Sequence, residues 1–399
     1  MNTQYISPTI RHIGVDDLSI DLFENQYPVP QGISYNSYLL IGDNDAVAII
    51  DTVDRRYLDV WFKNLEANLE GRTPHYLIIE HLEPDHSAGI AAICKRYPSL
   101  RLVATARAGQ MLPQFFDDAT LSSRLLTVGE GDTLSLGSMT LRFIMAPMVH
   151  WPEVMTVYEE NQQILFSADA FGTFGALSHT PENITPALWA PEARRYYTNI
   201  CGKYGAPVQT LLKKVAPLPI STICPLHGPV LRADLNEYIA LYDAWSQCRP
   251  ESHTILIAHA SIHGHTAEAA TYLYNQLLED GASKENVVLL DLCRTPVSEA
   301  VSQAYRAEQL VLAASSYDAT VFPPMHKFLH TLHAKGLRNR KVALIENGSW
   351  SPTAGRVMQQ MLGEMKDIEV ITPLLTLRAA MKAVDRESLK AMARKLLAR

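Results

Sequence analysis

The segment His81-Leu82-Glu83-Pro84-Asp85-His86 limits the possible folds of this chain more than any other. It places four side chains of the metal-ligating type within six positions, directly after the apolar run at 76–79. Burying so many ionisable groups would be very costly without a cation. The carboxyl ends of strands are also where α/β folds carry their sites. The segment therefore predicts a metal site at the end of a buried strand.

Three further ligand-type residues each follow a predicted strand, and we expect them on the same rim: His150, Asp169 and His227. The total is four imidazoles and three carboxylates, whereas a single zinc takes about three or four protein ligands. Seven ligands suit two ions about 3.5–4 Å apart with a bridging carboxylate. Mixed histidine and carboxylate ligation favours iron, manganese or zinc over copper(I) or an iron–sulfur cluster.

The first half of the chain, 1–250, reads as short strands and hairpins with helices between them. A hairpin is predicted at 35–51, and a meander at 125–142 around the turn Gly129-Glu130-Gly131-Asp132. Strands with interspersed helices favour an α/β sandwich of mixed sheets over a doubly wound parallel sheet. The stretch at 247–252 is the predicted linker to a second domain.

The second half, 253–399, alternates strictly between apolar strands and helical patterns. Such alternation with five strands predicts a doubly wound parallel sheet, an architecture that includes the flavodoxin-like folds. The strands are predicted at 254–258, 287–292, 310–314, 341–345 and 368–371, and the helices at 266–279, 297–309, 326–335, 353–366 and 386–397.

The metal cluster resembles the metallo-β-lactamase fold, whose hydrolases carry H-x-H-x-D-H, with Glu83 in place of the second histidine. A carboxylate there adds hard oxygen ligation, which favours iron over zinc. With the second domain, the whole chain resembles the flavodiiron proteins, or A-type flavoproteins. Further family-like segments are Tyr35-Asn36-Ser37-Tyr38, His150-Trp151-Pro152, Phe166-Ser167-Ala168-Asp169-Ala170-Phe171-Gly172, Ala193-Arg194-Arg195-Tyr196-Tyr197 and Pro225-Leu226-His227-Gly228.

The resemblance implies a ligand set for each of two irons. His81, Glu83, His150 and Asp169 would bind one iron, and Asp85, His86, Asp169 and His227 the other. Asp169 would then bridge the pair. Tyr197 and Ser167 are candidates for orienting ligands or delivering protons, although such hydroxyls are more often structural.

The resemblance also implies FMN in the second domain. Its phosphate would meet a loop at a helix N-terminus, and its flat ring could pack between Tyr317 and Trp350. His263 and His265 either contact the phosphate or face solvent. Asp318 adds a negative charge that the family pattern lacks. The candidate FMN residues are Ser261, His263, Gly264, His265 and Thr266, then Ser315, Ser316, Tyr317 and Asp318, and finally Asn347, Gly348, Ser349 and Trp350.

A flavin and two irons in one chain imply an oxidoreductase that passes electrons from a donor, via FMN, to the metals. The family reduces dioxygen to water, nitric oxide to nitrous oxide, or both. The sequence carries no rubredoxin or flavin-reductase extension, so we expect an external donor, either a rubredoxin or a reductase. The resemblance further implies a head-to-tail homodimer.

Two other functions remain open from the sequence. One is a dizinc hydrolase with an accessory flavodoxin-like domain, against which Glu83 argues. The other is an electron-transfer or gas-sensing module whose metal site only binds.

Charge and hydropathy exclude other classes of partner. The net charge of −7 argues against nucleic acid, because neutralising phosphates needs a basic surface. No apolar run approaches the roughly 18 residues that span a bilayer, and the first residues lack a signal-peptide pattern. None of the five cysteines forms a C-x-x-C pair, which argues against a zinc ribbon or a rubredoxin-type site. A cytoplasmic protein without a membrane partner is expected.

Overall fold

The computed structural model describes residues 4–181 and 183–398. The chain separates into two compact units. Unit 1 runs to Tyr197 and takes in Tyr204–Asp243, and unit 2 consists of Thr198–Lys203 and the chain from Ala244 onward. The domain ranges 1–250 and 253–399 stay a prediction.

Unit 1 contains many short strands. They are β1 (Gln4–Ser7), β2 (Ile10–His12), β3 (Val15–Asp17), β4 (Leu22–Phe23), β5 (Tyr27–Pro28), β6 (Ile33–Tyr35), β7 (Tyr38–Ile41), β8 (Val47–Ile50), β9 (Tyr76–Ile78), β10 (Arg101–Thr105), β11 (Leu125–Val128), β12 (Thr133–Ser135), β13 (Thr140–Met145), β14 (Met155–Glu159), β15 (Ile164–Phe166) and β16 (Thr222–Cys224).

The helices that begin in unit 1 connect these strands. They are α1 (Leu58–Leu69), α2 (Pro84–Ser87), α3 (Ile90–Arg96), α4 (Ala106–Phe115), α5 (Thr120–Ser123), α6 (Pro186–Ile200), α7 (Gly205–Val215) and α8 (Leu235–Ser246). The last residues of α6 and α8 belong to unit 2.

Two mixed sheets form unit 1. The seven-stranded sheet has the order β1-β2-β7-β8-β9-β10-β11, and the five-stranded sheet the order β12-β13-β14-β15-β16. Strands β8 to β11 are parallel, as are β15 and β16, while the other neighbours are antiparallel. One apolar cluster combines Ile50, Ile78 and Val103 of the first sheet with Phe143 and Val157 of the second. This packing confirms the predicted α/β sandwich of mixed sheets.

The predicted meander at 125–142 is wrong. Strand β11 pairs with β10 in the seven-stranded sheet, whereas β12 pairs with β13 in the five-stranded sheet. The turn is present, because the Gly129 amide donates to the Asp132 carboxylate and Gly131 has φ +79°. It carries the chain from one sheet to the other. Turn chemistry fixes the local reversal but not the partner of the next strand.

Unit 2 alternates strands and helices. The strands are β17 (Ile255–Ala260), β18 (Val287–Asp291), β19 (Gln309–Tyr317), β20 (Thr320–Val321), β21 (Arg340–Asn347) and β22 (Ile368–Leu377). The helices are α9 (His265–Glu279), α10 (Val297–Arg306), α11 (Pro323–Ala334), α12 (Ala354–Gly363) and α13 (Ala383–Leu397).

The sheet of unit 2 has the order β18-β17-β19-β21-β22, all parallel, with β20 added as an antiparallel partner of β19. Strand β17 is buried along its whole length, as expected for a parallel strand covered on both faces. Helices α9 and α13 share one apolar cluster with the sheet, through Leu273 and Leu389. The predicted five-stranded doubly wound sheet is confirmed, with the short β19–β20 hairpin as an addition. No helix in the described residues is long and apolar enough to cross a membrane, and the cytoplasmic location stays a prediction.

Candidate metal centre and cofactor cavity

The seven predicted metal ligands meet in unit 1, on loops that follow strands of both sheets. His81 and Glu83 follow β9, and the short helix α2 carries Asp85 and His86. His150 lies between β13 and β14, Asp169 follows β15 and His227 follows β16. Strand ends of two packed sheets thus supply every member, which brings residues 146 positions apart in the chain, from His81 to His227, to one site.

The ligands form two groups. The first is His81, Glu83, His150 and Asp169, and the second is Asp85, His86 and His227; in each, the ligand atoms lie within 4.8 Å of one another. Glu83 Oε2 lies 3.2 Å from His81 Nε2 and 3.1 Å from His150 Nε2. In the second group, the Nε2 atoms of His86 and His227 are 3.0 Å apart.

Asp169 faces both groups, one carboxylate oxygen to each. Its Oδ2 lies 3.2 Å from His150 Nε2 and 3.5 Å from His81 Nε2. Its Oδ1 lies 3.4 Å from His86 Nε2 and 3.7 Å from His227 Nε2. A carboxylate with this orientation is placed to bridge two ions.

The residues fit a cation pair on their own geometry. When two ligand atoms bind the same ion at about 2.1 Å each, they stand roughly 3 to 3.5 Å apart. The spacings between ligand atoms in both groups match this separation. Both carboxylate oxygens of Asp85 are buried and accept no hydrogen bond within residues 4–181 and 183–398. Asp85 Oδ2 nevertheless lies 3.4 Å from His227 Nε2. Buried carboxylate oxygens without a donor are costly unless a cation satisfies them.

Two contacts behind the ligands fix which ring nitrogen faces the site. His81 Nδ1 donates to Glu153 Oε1 at 2.8 Å, and His227 Nδ1 donates to the Ser34 carbonyl at 2.7 Å. Each contact leaves Nε2 free toward the other ligands, since the second nitrogen of a ligating histidine is normally held in this way. Glu153 also accepts from the Leu82 amide at 3.0 Å, so it holds both the ring and its backbone.

Sequence reasoning missed Glu153. It lies 72 positions from His81, and a single glutamate gives no periodic signal. One signal was available: Glu153 directly follows the family-like segment His150-Trp151-Pro152, at the start of a buried strand. A charged residue at such a position needs a buried partner.

Without metal, the carboxylates of the site shift the pKa values of its imidazoles upward. Burial lowers the pKa of His81, but its hydrogen bonds to Glu153 and Glu83 and the charge of Asp169 outweigh burial and leave the pKa well above its usual value. Burial likewise opposes the shift at His150, where Asp169 and Glu83 raise the pKa to about 9. Burial raises the pKa of Asp169, but its bonds to His150 and His86 hold it well below the usual range. The imidazolium protons thus supply positive charge that bound metal would replace.

Two further carboxyl groups shape the ligand loops. The Asp51 carboxylate accepts from the Glu80 amide at 3.2 Å, and Glu80 Oε2 accepts from the Ala168 amide at 3.1 Å. Burial raises the pKa of both groups well above their usual values, and the Asp51 charge adds to the shift at Glu80. Glu80 thereby ties the His81 loop to the loop that carries Asp169.

The two predicted hydroxyl residues, Ser167 and Tyr197, are both buried. Ser167 Oγ donates to the Ala170 carbonyl at 2.7 Å, so its proton stabilises the turn that carries Asp169. Tyr197 packs edge-on against Tyr242, with ring centres 4.9 Å apart. Its neighbour Tyr196, by contrast, packs on the ring of His227 at 5.5 Å. Tyr196, which the prediction did not name as a site residue, thus contacts the ring of a predicted ligand.

A cavity of about 620 Å³ opens in unit 2 at the carboxyl ends of β17, β19 and β21. This is the edge at which a doubly wound sheet binds its ligand. Every predicted FMN residue except Gly264 lines the cavity, as do four residues that were not predicted: Ile262, Ala319, Ser351 and Ala379.

The loop from Ser261 to Thr266 leads into α9 as the phosphate-loop prediction requires. Gly264 precedes α9 with φ +94° and open space where a Cβ would stand. Its amide donates to Ser261 Oγ at 3.1 Å, and the Thr266 and Ser315 hydroxyls are 2.9 Å apart. Amides and hydroxyls at a helix N-terminus suit an anion.

The other two loops are shaped by their own side chains. Ser316 Oγ accepts from the Thr353 and Ala354 amides, so it caps α12. The Asn347 amide exchanges two hydrogen bonds with the Ala379 backbone. These hydrogen bonds hold the walls of the cavity in place.

The aromatic and charged residues at the cavity mouth are exposed. Trp350 is 90% exposed and Tyr317 44% exposed. Asp318 and Ala319 form the two-residue turn between β19 and β20, with φ +47° and +58°. Histidines aside, Asp318 is the one side chain that is ordinarily charged at neutral pH among the described residues that line the cavity.

Comparison with known proteins agrees with this architecture. Residues 33–228 match the model of a family described as ODP family beta lactamase. A diflavin flavoprotein A 2 from Synechocystis is 28% identical over 379 residues, which cover 92% of this chain and 62% of that protein. The anaerobic nitric oxide reductase flavorubredoxin of Pectobacterium atrosepticum is 26% identical, over 88% of this chain and 68% of that protein. The chain thus spans about three fifths of the diflavin flavoprotein.

Solved structures match over nearly the full chain. The flavodiiron protein of Giardia intestinalis superposes with a TM-score of 0.91 at 22% identity, covering 99% of this chain and 96% of that one. The rubredoxin oxygen:oxidoreductase of Desulfovibrio gigas gives a TM-score of 0.89 at 22% identity, covering 99% and 98%. These findings confirm the resemblance drawn from the sequence. Residues 33–228 of the chain are similar to the ODP family beta-lactamase domain, and the chain has, over nearly its whole length, the fold seen in the flavodiiron protein of Giardia intestinalis.

Proposed function

We propose that the chain is a flavodiiron oxidoreductase, which passes electrons from an external donor through FMN to a pair of irons that reduce dioxygen, nitric oxide or both. One observation carries the proposal: the two oxygens of Asp169 face two separate sets of imidazole and carboxylate ligands at 3.2–3.7 Å. The oxygen-rich first set, with Glu83, supports iron over zinc.

The names of similar proteins support the same reaction class. They include an anaerobic nitric oxide reductase flavorubredoxin and a rubredoxin oxygen:oxidoreductase. Both names also point to rubredoxin as a donor. We propose a rubredoxin as the electron donor of this chain, with a reductase as the alternative.

The residues of this chain would prepare the reaction in three ways. His81, Glu83 and His150 would hold one metal and Asp85, His86 and His227 the other, and Asp169 would serve both, since one of its carboxylate oxygens faces each group. Glu153 and the Ser34 carbonyl hold the rings of His81 and His227 so that Nε2 faces the metals. In unit 2, the Gly264–Thr266 backbone and hydroxyls would bind the flavin phosphate.

The bound cofactors supply the electrons. When bound, a two-electron flavin and two ferrous ions would together hold the four electrons that are needed to reduce dioxygen to two waters. Coupling two nitric oxides to nitrous oxide and water needs two electrons.

A combined metal and turnover assay tests the proposal. We expect about two irons and one FMN per chain, and consumption of dioxygen or nitric oxide at an electrode when reduced rubredoxin is supplied. Two zinc ions with hydrolysis of a chromogenic β-lactam, and no gas consumption, would instead identify a hydrolase. Two irons and FMN without turnover would leave a binding module. Either result overturns the proposal.

We also propose a head-to-tail homodimer. Electron transfer falls steeply with distance, so each flavin needs an iron pair nearby, and a two-fold interface supplies one from the second chain. A metal-dead variant (Asp85→Ala with His86→Ala) is mixed with a flavin-dead variant (Gly264→Glu) under subunit exchange. Activity well above both parents is expected. No recovery in verified heterodimers would contradict transfer between chains.

A further inference from the structure

Three histidines on helix α11 lie outside both sites described above. His326, His330 and His333 are exposed. They occupy positions i, i+4 and i+7 of one regular helix in unit 2. No metal ligand or cavity residue lies among them.

Helix geometry places these three side chains on one face. At 3.6 residues per turn they fall within about 60° of one another around the axis. Residues four apart are neighbours, with Cβ atoms about 5–6 Å apart. The rotation of α11 is fixed because Met325, Phe328, Leu329 and Leu332 are buried on its other face. The histidine face therefore stays directed toward solvent.

The imidazoles are available for ligation. In the parts of the chain that the structure describes, the imidazoles of His326 and His330 form no hydrogen bond or ion pair. His333 has one carboxylate nearby, with Nδ1 3.8 Å from Glu364 Oε2. A metal ion bound by His326 and His330 would thus displace no hydrogen bond or ion pair of their imidazoles.

We propose that His326 and His330 chelate one divalent transition-metal ion. Two histidines at i and i+4 are the spacing by which helices present paired imidazoles to zinc, and imidazole suits copper(II), nickel(II) and zinc. The site differs from the buried centre in having no bridging carboxylate and full access to water. It therefore holds a single exchangeable ion, whose remaining positions are filled by water.

Copper(II) is the probe of choice, since it binds nitrogen ligands most tightly of the first-row divalent ions. The iron- and FMN-loaded protein is titrated with copper(II) by calorimetry, and the bound ion is examined by electron paramagnetic resonance. We expect one equivalent with at least two nitrogen ligands. The variant His326→Ala with His330→Ala weakens binding by about tenfold or more, because the chelate is reduced to isolated ligands.

The control is His253→Ala. His253 is also exposed in unit 2, but it has no second histidine four residues away, and its Nδ1 lies 2.6 Å from Glu308 Oε2. The His253→Ala substitution should leave the copper affinity unchanged. The single variant His330→Gln, which keeps a polar side chain on the helix, should lose the two-nitrogen signature while retaining the melting temperature. Wild-type affinity in the double variant, or an equal loss in His253→Ala, would overturn the proposal.

Discussion

Replacing Glu153 by glutamine tests how the protein tunes one of its two metals. Glu153 is fully buried and its Oε1 accepts from His81 Nδ1 at 2.8 Å and from the Leu82 amide at 3.0 Å. Glutamine has nearly the same volume and keeps one oxygen acceptor, so the packing is preserved. What is lost is the negative charge that strengthens the bond to His81.

The magnitude follows from that single contact. Changing a partner of a ligating histidine typically costs 10- to 100-fold in metal affinity, which corresponds to about 1.4–2.8 kcal/mol. Among the seven predicted ligands, all of which the structure describes, only His81 forms a hydrogen bond or ion pair with the Glu153 side chain through its own side chain. We therefore expect weaker binding of the ion held by His81, Glu83 and His150, with the second ion retained.

Iron release under an increasing concentration of a chelator measures this effect. Glu153→Gln should lose one iron at a chelator concentration about 10–100-fold lower than the concentration at which the wild-type chain loses its first iron. The control is Glu159→Gln, because Glu159 is another fully buried carboxylate, which accepts from the Asn161 and Gln162 amides of a turn. Equal retention in both variants, or equal loss in both, would refute the argument, provided that near-ultraviolet dichroism shows them folded.

Three further changes test the two sites. Asp169→Ala should lose more than one ion by metal analysis, because each of its oxygens faces a different group; full iron content would contradict the bridge. Gly264→Ala should weaken FMN binding several-fold in fluorescence titration, because φ +94° costs a residue with a Cβ about 1–2 kcal/mol; unchanged affinity would mean that the loop is not the phosphate site. Asp318→Asn should raise the flavin midpoint potential in a spectroelectrochemical titration, because a nearby negative charge disfavours the reduced, more anionic flavin. A potential equal to the wild type would place the ring away from Asp318.

The chemistry of the metal site was readable from the sequence because ligand identity is local. His81, Glu83, Asp85 and His86 lie within six positions, and the strand before them is a plain apolar run. The same holds for the phosphate loop, since a strand, a glycine and a helix start occur in succession from β17 to α9. Alternation of strand and helix also predicted the parallel sheet, because parallel strands need crossover connections.

Partners distant in the chain were decided by the tertiary structure alone. Glu153 meets His81 only because two different sheets pack face to face, and no local pattern records that pairing. The chain crosses from one sheet to the other after β11 for the same reason: a turn reverses the chain, but burial of the following strand determines which sheet it joins.

The orientation of side chains was likewise set by packing. The sequence supplied seven ligands and the resemblance named Asp169 as the bridge, but only the fold directs its two oxygens to different histidine pairs. In unit 2, Ser316 and Asn347 line the cavity as predicted, but only the fold shows that their polar atoms also hold α12 and the Ala379 backbone. A sequence determines which groups are available, whereas the competition of buried donors and acceptors for partners determines what each group does, and that competition exists only once the chain is folded.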